Sequence, residues 1–247
     1  MARKHAGSMS ARSYSMPELS ELYGEPPFHY REVNQLLVEF ETEAAVLREL
    51  VPKPLTPNRD NTMFVSVAEF LCSGFGRYYE THVFTHATYK RRLVNFSLYL
   101  ILDNDVAICG GREIWGFPKK LGRLTMNMTD DVVSATVERG GITVIDCAMR
   151  MATMIEPEDL GGTAEWVARK FVPNVTRGAR PDVDQLTSTT LTDITVGEVH
   201  KGPATLNFGA SPSDRLADIP IVRMRDGYFY ESTFTLDDGI VLHDYLA

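Results

Sequence analysis

The chain has 247 residues, of which 44% are hydrophobic and 23% charged. That is ordinary globular composition, which excludes collagen, coiled coil and a disordered chain. Lys and Arg total 25 against 33 Asp and Glu, a net charge of −8, which argues against a polyanion as main partner because phosphate binding needs a basic face, and leaves room for a small basic pocket.

Cys72, Cys109 and Cys147 are far apart and odd in number. They give no disulfide framework and no CxxC metal spacing, so they read as reduced thiols. No apolar run reaches the ~18 residues of a membrane span. Residues 1–25 are expected to form a loose tail. Within them Met1–Met16 carries Arg3, Lys4 and Arg12, several serines and no acid. It has no apolar stretch of the secretory kind, so the expected location is the cytoplasm.

A short helix is expected from Pro17, stopped by Gly24, before Pro26 and Pro27 break the chain. The alternation in Tyr30–Glu41 predicts a strand. Thr42 is placed to cap a helix through Ala45, Leu47 and Leu50. From Met63 the pattern turns to β. Strands are expected at Phe64–Leu71, Arg92–Leu102, Leu124–Met128, Val132–Glu138 and Thr143–Met151. Further strands follow at Trp166–Val172, Asp193–His200, Ala204–Phe208, Ile219–Met224 and Phe229–Leu236. Turns fall at Asp103-Asn104-Asp105, Thr129-Asp130-Asp131 and Gly140-Gly141, the last closing a hairpin. No βα alternation is present. The fold class is α+β, mainly antiparallel, as one domain over residues 26–247.

Several chemistry-bearing patterns are bland. His82 and His86 stand four apart in HVFTH, but without HExxH and on a β-favouring stretch, so they read as satisfied or exposed histidines rather than metal ligands. There is no GxSxG and no GxGxxG after a strand. Ser73-Gly74-Phe75-Gly76 reads as a turn. Asp130-Asp131 and Asp237-Asp238 read as solvated turns.

One segment differs: Gly110-Gly111-Arg112-Glu113-Ile114-Trp115-Gly116-Phe117-Pro118-Lys119-Lys120-Leu121-Gly122. Two adjacent lysines follow a proline in apolar surroundings, with glycines that permit close backbone approach. A solvated surface pair is the commoner meaning of two lysines. A desolvated pair would be reactive: free lysine is only ~0.04% neutral at pH 7, and burial or a second cation favours the neutral amine.

This segment resembles the acetoacetate decarboxylase family. That enzyme is itself the standard example of a lysine activated by desolvation or a neighbouring cation, so the two arguments are not independent. The resemblance runs from Phe28-His29-Tyr30-Arg31-Glu32 through Leu50-Val51-Pro52-Lys53-Pro54-Leu55 and Ser73–Gly76 with Tyr79-Glu80. It peaks at Gly111-Arg112-Glu113 to Gly122, then returns at Gly202–Leu206 and His243-Asp244-Tyr245-Leu246. It implies a closed cone or barrel-like core with flanking helices, a homo-oligomer, and no cofactor or metal. It assigns Lys119 as the Schiff-base lysine, Lys120 as its cationic neighbour, and Arg31 and Glu80 as active-site groups. Phe28, Val65, Trp115 and Phe117, with Arg31, are expected to contact substrate. Arg112 and Glu113 are expected to support the loop. The family's second glutamate falls where this chain has Val65. Glu69, four residues on, lies ~13 Å away along a strand and does not replace it.

The expected activity is decarboxylation of a β-keto acid, acetoacetate or a bulkier analogue, with that small molecule as the partner and neither nucleic acid nor membrane. Two alternatives stand beside it. One is Schiff-base aldolase–dehydratase or cyclase chemistry without CO2 loss. The other is a non-catalytic barrel that binds a small carboxylate.

Overall fold

A computed structural model describes residues 13–247. The expected tail at residues 1–12 lies outside the described residues. Residues 13–25 are not a loose tail. The Ser15 hydroxyl donates to the Tyr23 carbonyl (2.7 Å) and accepts from its N–H (3.1 Å). This turns Tyr23 into a buried cluster with Phe28, Phe75 and Trp115. No helix forms there.

The elements in order are β1 (Phe28–Glu41), α1 (Ala44–Leu50), β2 (Thr56–Pro57), β3 (Thr62–Cys72), β4 (Gly76–Tyr89) and β5 (Arg92–Leu102). Then come α2 (Asp105–Gly110), a π-helical turn over Gly111–Trp115, β6 (Lys119–Leu121), β7 (Arg123–Thr129), β8 (Val132–Arg139) and β9 (Ile142–Arg150). β10 (Thr153–Ile155), β11 (Glu165–Val172), β12 (Val183–Phe208) and β13 (Arg223–Asp244) complete the chain. The last two each join runs that the sequence pattern separates. Register shifts bend them without ending them, and a bulge inserts residues while pairing continues. At α1 the N-cap is Glu43, with no side-chain cap bond, one residue past the expected Thr42.

Seven strands close a ring in the order β11-β5-β4-β3-β1-β13-β12, and β12 pairs back onto β11. All these pairs are antiparallel except β11 with β5. The far end of β12 leaves the ring to pair with β9, and β9, β8 and β7 form a meander. The fold is therefore α+β, mainly antiparallel, and barrel-like. No helix among the described residues is long and apolar enough to cross a membrane.

Strand period divides the wall of the ring. Met63, Val65 and Val67 of β3 and Leu36, Val38 and Phe40 of β1 face outward onto Val133, Val137, Ile145 and Met149 of the meander. Fully burying each such side chain contributes about 1.5–3 kcal/mol. The alternate residues face into the ring, and the site is built from them.

Candidate active site

On β4 the inward row is Tyr78, Glu80, His82 and Phe84. Across from it on β3, Ala68 pairs with Glu80 and Ser66 with His82. Between β5 and β6 a loop crosses one end of the ring. The Asn104 side chain accepts from the Ala107 N–H at 2.8 Å and caps α2. The chain then widens into the π turn and stops at Gly116, whose φ is +77°. A side chain there would lie 2.4 Å from the Lys170 Cα, so the turn admits only glycine. A π turn inserted in a short helix is a recurrent feature of functional sites. Trp115 donates its indole N–H to the Asp237 carbonyl (3.0 Å), and its own carbonyl accepts from Thr187 (2.5 Å). Arg112 donates to the Lys119 carbonyl (3.1 Å), and Glu113 accepts from the Tyr23 hydroxyl. Both therefore hold the loop.

β6 pairs in parallel with β5, Lys119 opposite Leu100. Successive residues of a strand face opposite sides. Lys119 therefore enters the ring, only 7% exposed, and its Nζ lies 2.8 Å from Glu80 Oε2. Gly111 makes room for it, since a Cβ there would be 2.6 Å from the lysine Cδ and Cε. Lys120 goes outward. Its Nζ lies 2.8 Å from Asp214 Oδ1, which also takes Arg139 Nε at 3.1 Å, and it sits over the Tyr99 ring at 4.7 Å. Burial, then Arg139 and Arg112, lower the Lys120 pKa.

Lys119 and Glu80 share a cavity of about 110 Å³ with Phe70, Leu100, Phe117, Leu191, Phe234 and Leu236 as apolar wall. Its neutral polar groups are Tyr30, Gln35, Ser66, Tyr78 and His82, and Trp166 also lines it. The Tyr30 and Tyr78 hydroxyls are 3.4 Å apart. Burial raises both phenols well above 10, so they remain neutral donors. His82 stacks on Trp166 at 4.5 Å, and its buried Nε2 has no partner among the described residues. Burial, and then Lys119, lower its pKa to about 3, so it is a neutral imidazole. Among the described residues no cluster of His, Cys, Asp or Glu could hold a metal.

Of the residues singled out in the sequence, the cavity brings together Lys119, Glu80 and Phe117. Arg31 is exposed and does not line it. A register shift follows Tyr30, with Glu32 at φ +49°, and parity leaves Arg31 on the outer face beside inward Tyr30. Val65 also lies outside the cavity, fully buried against the meander. The cavity-facing neighbour on β3 is Ser66, so Val65 is not a substrate contact in this arrangement. Phe28 and Trp115 pack behind the lysine loop, 5.9 Å apart, rather than against the cavity. Sequence reasoning missed Tyr30, Gln35, Ser66, Tyr78, His82 and Trp166. Once Glu80 is placed inside, the period-two row recovers Tyr78 and His82; Trp166 and Gln35 depend on ring closure and carried no local signal.

The chain matches the Acetoacetate decarboxylase (ADC) family over residues 13–246. It is 28% identical to acetoacetate decarboxylase 2 of Mesorhizobium japonicum over 98% of this chain and 93% of that one. It is also 28% identical to acetoacetate decarboxylase of Ralstonia nicotianae over 95% and 96%. The crystal structure of acetoacetate decarboxylase from Legionella pneumophila superposes with a TM-score of 0.91, 26% identity and full coverage of both chains. The enduracididine biosynthesis enzyme MppR, complexed with the condensation product of pyruvate and imidazole 4-carboxaldehyde, shares the fold at a TM-score of 0.84 and 16% identity over 94% of this chain and 97% of that one. An inward lysine paired with a glutamate on a closed β-ring, matched along nearly the whole chain, assigns this protein to a family of carboxy-lyases: it belongs to the acetoacetate decarboxylase family.

Proposed function

We propose that the protein is a cofactor-free β-keto acid decarboxylase that works through a Schiff base on Lys119. The observation that carries the reading is the buried Lys119–Glu80 pair, 2.8 Å apart, in a cavity otherwise walled by apolar and neutral side chains. Glu80 is the base within reach of the ammonium and can take its proton. The amine then adds to the substrate ketone, and loss of water leaves an iminium. The C–C bond to the carboxylate breaks, its electron pair flows into the iminium, and CO2 and an enamine result. Glu80, whose first proton leaves with the departing water, takes another from solvent and delivers it to the enamine carbon. Water hydrolyses the resulting iminium to ketone and the lysine ammonium.

Arg31 lies outside the cavity, so the substrate carboxylate is received by neutral donors, Tyr30 and Tyr78 among them. Decarboxylation disperses the carboxylate charge. A site with no cation fixed on that group does not hold the ground state more tightly than the transition state. Lys120 supports the strand through Asp214 and Arg139, and its charge is balanced there. With this activity go the expectations of a cytoplasmic location and a homo-oligomeric assembly.

A second reading keeps the lysine and omits CO2 loss. With Val65 where the family has a second glutamate, Glu80 is the one acid lining the cavity among the described residues, and the fold shared with MppR accommodates a condensation product. Incubation with acetoacetate and longer β-keto acids, followed by borohydride, intact mass and CO2 assay, separates the readings. Adduct with CO2 supports decarboxylation, adduct without CO2 supports the second reading, and neither points to a binding protein.

A further inference from the structure

The ring holds a second cavity, of about 290 Å³, on the other side of Gln35 and Trp166, which line both. The same inward rows build it. Below Ser66 on β3 come Phe64 and Thr62, and below His82 on β4 come Phe84 and His86. Asn95 of β5 pairs with His86 on one side and Trp166 on the other. A ladder of rings connects the two spaces. His82 lies 4.5 Å from Trp166, Trp166 4.9 Å from Phe84, Phe84 4.9 Å from Phe64, and Phe64 4.7 Å from His86.

The far end is rich in acceptors. Asn95 is 4% exposed and donates its amide to the Thr163 carbonyl at 2.7 Å, yet its Oδ1 has no partner among the described residues. The Thr62 hydroxyl, 2% exposed, likewise lacks one. Glu39 and Asp60 also line the cavity, while no lysine or arginine does. Glu39 is half-buried and reaches Arg225 at 3.3 Å, so its charge is partly balanced. Asp60 is exposed at the rim. A buried acceptor without a partner is unfavourable, and this one lines the same cavity as two carboxylates. The group that satisfies both is a cationic N–H donor.

We propose that the second cavity is a tail subsite of the Lys119 site, taking a β-keto acid whose chain ends in a protonated amine. The proposal rests on the reading of Lys119 as the Schiff-base residue. Its aliphatic stem lies along the aromatic ladder, and its ammonium meets Asn95, Asp60 and Glu39. From Glu80, which meets the Lys119 Nζ, to His86, which pairs with Asn95, the strand advances ~20 Å, which an extended chain covers in about seventeen bonds.

The test compares an ω-amino 3-oxo acid of about eighteen carbons with its isostere ending in methyl, and with acetoacetate. The expected result is a kcat/KM at least about tenfold higher for the ammonium tail, with that ratio falling towards unity in Asp60→Asn and Asn95→Leu. Asp60 is exposed, so Asp60→Asn keeps the comparison available should Asn95→Leu fail to fold. Equal turnover of the two tails, or a ratio unchanged in the variants, overturns the subsite. Borohydride-trapped adduct with acetoacetate but no preference between tails overturns the subsite alone. No adduct with any of the three acids overturns it together with the reading of Lys119.

Discussion

The two sides of one β wall behave as different solvents. Outside, Val65, Val67 and Val83 pack against the meander in a layer made almost wholly of aliphatic side chains. Inside, one residue away on the same strands, stand Ser66, Glu80 and His82 around Lys119. The lysine pair repeats the contrast. Lys119 meets one carboxylate, buried in the ring, whereas Lys120 meets Asp214, already shared with Arg139, at the rim of the meander. Neighbours in sequence thus differ in chemistry because the pleat sends them to opposite sides. The packed outer layer backs the inner face, which carries the polar groups.

The sharpest way to break this contrast is Lys119→Ala. It is expected to abolish CO2 release and adduct formation while the circular dichroism stays that of the parent; turnover by a folded Lys119→Ala protein would refute the inner site. Glu80→Gln removes the base 2.8 Å away and should lower kcat by about 10²–10⁴, measured in steady state against pH. Val65→Ala acts on the other side. It should shift the urea midpoint by the equivalent of about 1–3 kcal/mol with little change in KM, and a large KM effect would put Val65 at the substrate after all.

His82 sharpens the contrast through pH. Its pKa is about 3 in the folded protein and ~6.5 when unfolded, so only the unfolded chain takes up its proton in between. Its contribution to stability is intact above pH ~6.5 and is lost progressively down to pH ~3, at up to about 1.4 kcal/mol per pH unit. In His82→Phe, urea titrations should show a shallower loss than the parent between pH 6.5 and 4; parallel slopes would mean that the imidazole is charged in the fold. Lys120→Ala has the smallest expected effect, a slowing of less than about tenfold with the adduct retained, checked by intact mass after borohydride.

Much of the wall was legible in the sequence. β5 was delimited to the residue and the β7–β9 meander nearly so, because turn residues and β-branched runs are local signals. The Lys119 loop was legible through its glycines and the Pro-Lys-Lys resemblance. Arg31 and Val65 were not placed correctly, for a related reason. A register shift around Glu32 changes which side chains of β1 face inward, and the regular pairing of β3 sends Ser66 in and Val65 out; side-chain parity is a property of pairing rather than of composition. Tyr30, Ser66 and His82 became visible only once the register was fixed. Trp166 needed the closure of β11 on β12 and β5, a long-range event that leaves no local trace.

The central claim is that the side of β6, and not lysine content, decides which amine reacts. Borohydride reduction in the presence of a turned-over β-keto acid, followed by peptide mapping across residues 113–123, tests it directly. The account predicts the reduced adduct on Lys119 alone, in the parent and in Lys120→Ala; an adduct on Lys120, or one that survives in Lys119→Ala, would contradict it.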